Sequence, residues 1–214
     1  MRLRRRHDEG VPPNSYEADL ALNEVDTPQP CMGEVLVRVA CAALNPLDVK
    51  LLSGAMHGDF PLTFPATVGT DLSGTVEALG ADVTGWTIGD RIVARTAPTS
   101  GGAMAEFARV PADQLVKLPD AIGFEDAAGI PTAAGTAWQA LFEVAELKAG
   151  QTVLIHAGAG DVGSFAIQFA RAAGARHRHG IRRGHRDRPI ARSEHRDGAL
   201  RDALHRTSNG HLLF

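Results

Sequence analysis

Three glycines, Gly158, Gly160 and Gly163, stand in the spacing G-x-G-x-x-G within Gln151 to Ala175, QTVLIHAGAGDVGSFAIQFARAAGA. Each position has a physical use: a tight turn, room for backbone to approach a pyrophosphate, and close packing of a helix on a strand. The chemistry on offer is the holding of a dinucleotide, with phosphate oxygens taken by backbone N–H groups rather than by charged side chains. A glycine turn that binds nothing is the alternative.

The elements that must position this turn are legible around it. Thr152 to His156 is a short β-branched, apolar run suited to a buried parallel strand. From Val162 onward Phe165, Ala166, Phe169 and Ala173 repeat at helical spacing, and Gly174 is a helix stop. The N–H groups of the first helical turn, at Asp161 and Val162, then face the anion together with the positive end of the helix dipole. Asp161 has two readings. Its carboxylate would repel a phosphate held on the turn, or it serves as a helix-start residue favoured by the dipole.

Charge divides the chain of 214 residues unevenly. Residues 1–175 carry 12 Lys+Arg against 21 Asp+Glu, a net −9, whereas residues 176–214 carry ten Arg, no Lys and four acids, a net +6, with six of the nine histidines. A basic arm of that kind could bind nucleic acid in a strongly salt-dependent way. It lacks interleaved aromatics for base stacking, Phe214 being the only one, so nucleic acid is not the expected partner. No apolar run approaches membrane-spanning length, and the basic start MRLRRRHDEG leads into no signal-peptide core, so a cytoplasmic, globular protein is expected. Cys31 and Cys41 are too few for a disulfide framework or structural zinc site and read as free thiols.

Upstream of residue 120 short strands alternate with Gly, Pro and Asp. Val35, Val37 and Val39 alternate with Leu36, Arg38 and Ala40, and further runs occupy Asp71 to Leu79, Asp90 to Arg95 and Ala105 to Val110. A β-barrel or sandwich follows. From Phe124 the period becomes helical, starting near Pro131 and Thr132, with Trp138, Leu141, Phe142 and Ala145 on one face and Trp138 in the core. His156 reads as a packed or solvent-edge histidine at a strand end.

The order GEVLVRV, NPLDVKLLSG, FPLTFPATVGTDLSGTVEALG, GDRIVA, GGAMAEFARVPADQLVKLP, AGIPTAAGTAWQAL and QTVLIHAGAGDVG resembles the medium-chain dehydrogenase/reductase superfamily, and within it the zinc-independent quinone oxidoreductase group. The resemblance covers roughly Gly33 to Ala175. It implies an α/β protein containing a β-barrel: a GroES-like catalytic domain over residues 1–120, then the start of an NADP-binding Rossmann domain, a doubly wound parallel sheet, over 121–175. It implies NADP(H) between the two domains, a quinone or enone as small-molecule substrate, and a homodimer. Where zinc members carry a Cys and a His, this chain reads Ala43-Leu44-Asn45-Pro46 and Gly69-Thr70-Asp71-Leu72-Ser73-Gly74, so no catalytic metal is expected. Hydride would then pass directly from nicotinamide to an electron-poor acceptor.

By the same resemblance the loop from Asn45 to Lys50 faces the nicotinamide. Asn45 is implied as a hydrogen-bonding catalytic residue and Lys50 as a contact for cofactor or substrate. Asp48 is either a further catalytic residue or a turn-completing carboxylate bonded to nearby backbone. Thr132 and Thr136 match positions beside the nicotinamide carboxamide, and helix capping could coexist with that role.

After Ala175 the expected second apolar strand is replaced by RHRHGIRRGHRDRPIARSEHRDGALRDALHRTSNGHLLF, without a valine and without strand alternation. Residues 176–214 are expected to form an arginine-rich, disordered tail, and the Rossmann domain to be incomplete. Shifting the frame across Arg176 to Ile181 by one base can give Val-Ile-Ala-Thr-Ala-Ser, an apolar strand, and the same shift across Pro189 to Ser193 can give Arg-Ser-Leu-Gly-Ala. A shifted reading frame is therefore expected on sequencing the gene through codons 170 to 214. The chain as written would bind NADPH weakly or not at all; the alternative is a non-catalytic remnant or interaction protein with a basic nucleic-acid-binding tail.

Overall fold

The computed structural model describes residues 7–10, 13–100 and 102–180, and the segment from Ile181 onward lies outside the described residues. Contacts divide the chain into two units, Met1–Thr132 and Ala133–Phe214.

The first unit is built on antiparallel strands. β1 (His7–Gly10) pairs with β2 (Asn23–Asp26). A five-stranded sheet then runs in the order β6-β3-β4-β5-β7, from β3 (Glu34–Ala43), β4 (Asp71–Leu79), β5 (Arg91–Arg95), β6 (Phe107–Pro111) and β7 (Leu115–Lys117). Its core is the set of inward apolar side chains that the sequence alternation marks, with Val35, Val37, Leu72, Val76, Ile92 and Val110 all buried. Shifts in register between Leu36 and Val37 and between Val39 and Cys41 bend β3 across β4. At the second shift Gly74 lies so close to the Arg38 carbonyl that a Cβ would collide with it, which explains a glycine inside a buried strand.

The helix α1 (Pro46–Leu52) follows β3, with Pro46 at its first position and Asn45 as its N-cap. After β7, Arg91 pins the chain by donating to the carbonyls of Pro119 (3.1 Å) and Ile122 (2.6 Å), while its guanidinium lies 4.7 Å from the Phe124 ring centroid. The short helix α2 (Phe124–Ala128) thereby packs on β3, β4 and β5, and Ser73 Oγ donates to the Phe124 carbonyl at 2.7 Å. These contacts attach residues 121–132 to the sheet, and the first unit runs to Thr132.

α3 (Pro131–Trp138), whose first two residues belong to the first unit, continues through a π-helical stretch, Gln139–Val144, in which the Ala145 N–H bonds the Ala140 carbonyl. The wider turn changes the phase of the apolar face. Leu141 is buried, but Trp138, expected in the core, is 52% exposed and instead lies 4.5 Å from Phe142 and 5.7 Å from Phe169 between ring centroids. β8 (Thr152–His156), α4 (Asp161–Ala172) and β9 (Arg176–Gly180) complete a β-α-β unit, with β9 parallel to β8 from Thr152↔Arg176 to His156↔Gly180. Ala137, Leu141, Ile155, Ala166 and Ala170 form its core. The expectation of an unstructured tail from residue 176 is thus corrected for residues 176–180. Backbone pairing with β8 and the turn bonds Arg176 N–H to Gln151 carbonyl and Gly150 N–H to Gly174 carbonyl set the strand in place without valines.

Candidate functional site

Sheet register assembles the polar cluster of the first unit. Ala43 on β3 pairs with Asp71 on β4, and Asp71 pairs on its other side with Arg95 on β5. Asn45, two residues beyond Ala43, is thereby brought beside the Asp71 carboxylate, and its Nδ2 donates to Asp71 Oδ2 at 3.1 Å. Thr132 in the first turn of α3 donates to the same carboxylate twice, from its backbone N–H (2.8 Å) and from its hydroxyl (2.7 Å). Arg95 Nε in turn donates to Thr132 Oγ1 at 3.0 Å. Asn45 and Asp71 are 7% and 1% exposed, so this pair is buried and its orientation is set by these bonds.

Asp48 holds Asn45 from the other side. Its Oδ2 accepts the Asn45 backbone N–H at 2.7 Å, the reach-back bond of a helix start, and its Oδ1 accepts the Thr70 hydroxyl at 3.2 Å. Burial pushes the Asp48 carboxyl above its ordinary range, and the nearby charge of Asp71 adds to this, against the hydrogen bonds from Asn45 and Thr70. The carboxyl also lines a pocket with Leu51, Leu62, Thr67, Thr70 and Thr99. Lys50, on the last turn of α1, is exposed. Of the residues implied by sequence for this unit, the structure joins Asn45, Asp48 and Thr132 in one bonded cluster and leaves Lys50 outside it.

The glycine turn of the second unit has the form expected of it. Ala157 takes a left-handed φ of 50°, and the Gly160 N–H closes the turn onto the Ala157 carbonyl at 2.8 Å. Gly160 caps α4 without a side-chain bond, Asp161 is the exposed first residue of the helix, and Val162 is half-buried. At Gly163 a Cβ would collide with the Ala157 carbonyl oxygen and stand 2.8 Å from Gly158 Cα, so helix and turn can meet this closely only with glycine there. The N–H groups of Asp161, Val162 and Gly163 have no acceptor within the helix, by helix geometry, and give the turn its capacity for an anion. Asp161 sits where the dipole favours a carboxylate, at the place of a helix-start residue. Thr136 is exposed on α3, and His156 is exposed at the end of β8.

Asp71, Thr70 and Arg95 were not singled out by sequence reasoning. The signal for Asp71 and Thr70 was present in GTDLSG, a polar pair at the opening of a strand, but its meaning depends on the pairing of β3, β4 and β5.

Residues 32–120 match the family described as alcohol dehydrogenase GroES-like domain. The chain is 36% identical over 170 residues to a chloroplast envelope quinone oxidoreductase homolog of Arabidopsis thaliana, covering 76% of this chain and 52% of that protein. It is 40% identical over 152 residues to a quinone oxidoreductase of Sus scrofa, covering 71% and 45%. Among solved structures, the quinone oxidoreductase from Coxiella burnetii superposes with a TM-score of 0.73 at 32% identity, over 81% of this chain and 56% of that one. The chain spans about half the length of the curated relatives it matches.

Proposed function

Since the chain belongs to the medium-chain dehydrogenase/reductase superfamily, with the quinone oxidoreductases as its relatives, we propose that it is a reductase using NADPH, with hydride passed directly to a quinone or other activated carbonyl or enone. The observation that carries this reading is the strand, glycine turn and helix of β8 and α4. Its Gly163 leaves no room for a Cβ, and its first-turn N–H groups offer a cradle for a pyrophosphate. The turn therefore fits the pyrophosphate of a dinucleotide.

The bound nicotinamide would supply the hydride. This chain's residues supply position: the backbone N–H groups of Asp161, Val162 and Gly163 take phosphate oxygens, and Asn45, Thr132 and Thr136 contact the nicotinamide end. Lys50 contacts cofactor or substrate from the edge of α1. With asparagine at position 45 in place of a soft ligand, acceptor polarisation falls to hydrogen bonds instead of zinc. The reduced product needs a proton as well as the hydride. Asp48, whose carboxyl binds its proton more tightly than an ordinary aspartate and lines a pocket with three threonines, is the group in the cluster suited to hold one.

The test is consumption of NADPH by the full chain in the presence of a soluble benzoquinone. Quinone-dependent oxidation is expected with an affinity for NADPH weaker than micromolar, and Gly163→Val is expected to abolish it while Leu22→Gln, an exposed change far from the turn in sequence, leaves it intact. Equal rates in wild type and Gly163→Val would remove the glycine turn from the account.

A further inference from the structure

Two of the side chains assigned to the nicotinamide end, Asn45 and Thr132, come from segments 87 positions apart, yet both are bonded to one carboxylate. We propose that Asp71 is the positioning residue of this half-site: it fixes the Asn45 amide and the first turn of α3 together. The inference rests on the reading of Asn45 and Thr132 as nicotinamide contacts.

Three donors converge on Asp71: Asn45 Nδ2 and the Thr132 N–H on Oδ2, and the Thr132 hydroxyl on Oδ1. A carboxylate can accept all three, having no hydrogen of its own to misplace. An asparagine in its place would set an NH2 group against at least one donor. Because Nδ2 of Asn45 is committed to Asp71, and its backbone N–H to Asp48, the amide cannot rotate without breaking a buried, charge-assisted bond. Its carbonyl oxygen therefore occupies the opposite branch, on the side of the Asp48 backbone N–H that completes the capping box. The Thr132 hydroxyl hydrogen is likewise spent on Asp71, with Arg95 donating to the oxygen, so this hydroxyl cannot donate to a ligand. The second Nδ2 hydrogen of Asn45 is left for an acceptor on a ligand, and the carbonyl oxygen of a nicotinamide carboxamide is of that class.

The experiment uses the full chain labelled with 15N on asparagine side chains, wild type and Asp71→Asn, with NADPH as the probe. In the wild type the Asn45 Nδ2 hydrogens are expected to exchange with water at least about tenfold more slowly than those of exposed Asn14. In Asp71→Asn that protection is lost. Saturation transfer to the nicotinamide protons of NADPH falls about tenfold, while transfer to the adenine protons is unchanged, a split that general loosening of the fold would not produce. Equal nicotinamide signals in the two proteins would overturn the proposal. So would a wild-type Asn45 amide exchanging as fast as that of Asn14, a result that holds even if the variant fails to fold. Absence of any NADPH signal in the wild type would contradict the nicotinamide reading, and the exchange of the Asn45 amide would then decide the role of Asp71 by itself.

Discussion

At the scale of single residues, buried carboxylates dominate the chemistry of the first unit. Asp8 on β1 is fully buried; its Oδ1 accepts the Glu106 N–H at 2.8 Å, while its Oδ2 has no partner among the described residues. Burial pushes its carboxyl above the ordinary 3.8, opposed by backbone bonds from Glu106 and Phe107 and reinforced by the Glu106 charge. Asp48 is shifted the same way. A carboxyl that holds its proton more tightly when folded contributes stability that is full below its unfolded pKa and is lost as pH rises through the folded one. Denaturant midpoints of the wild type should therefore lose this contribution as pH rises from about 4 toward neutrality. Asp8→Asn should remove one share of that slope, and an unchanged slope would show that Asp8 ionises freely. Glycine chemistry at Gly158, Gly160 and Gly163 was readable in the sequence because a tight turn is a local matter. Asp71 and Arg95 were not, because what they do depends on which strands lie beside them.

At the scale of elements, runs with strong alternation were placed well: β4 begins and ends at the residues expected, Asp71 and Leu79, and β8 occupies Thr152–His156 as read. The misses share a cause, in that tertiary context changed what a local pattern meant. The π-helical stretch after α3 rotated the apolar face and left Trp138 half exposed. α2 belongs with the sheet because Arg91 and Ser73 hold it there, contacts that no spacing rule records. β9 forms from RHRHG in parallel backbone pairing with β8, in a position where parallel strands are ordinarily apolar. Replacing Arg176-His177-Arg178-His179 by Val-Ile-Ala-Thr, the strand that a shifted reading of the same codons can encode, should stabilise this β-α-β unit by about 1–2 kcal/mol. Thermal melting followed by Trp138 fluorescence would check it. No gain in midpoint would mean that β9 tolerates its charges at no cost.

At the scale of the whole molecule, each unit holds one of the two polar constellations. The first holds Asn45, Asp48, Asp71 and Thr132 in one hydrogen-bonded cluster, and the second holds the glycine turn over α4. Among the described residues no helix is long and apolar enough to cross a membrane. The central claim is direct hydride transfer from nicotinamide to an activated acceptor without zinc. The measurement that addresses it most directly is isotopic: the full chain is incubated with NADPH deuterated at both C4 positions and a cyclic enone, with a zinc chelator present, and the saturated ketone is examined by mass spectrometry. The account predicts one deuterium on the β-carbon of the product, in equal yield with and without chelator. Product lacking deuterium, or deuterated product formed only when zinc is supplied, would contradict it.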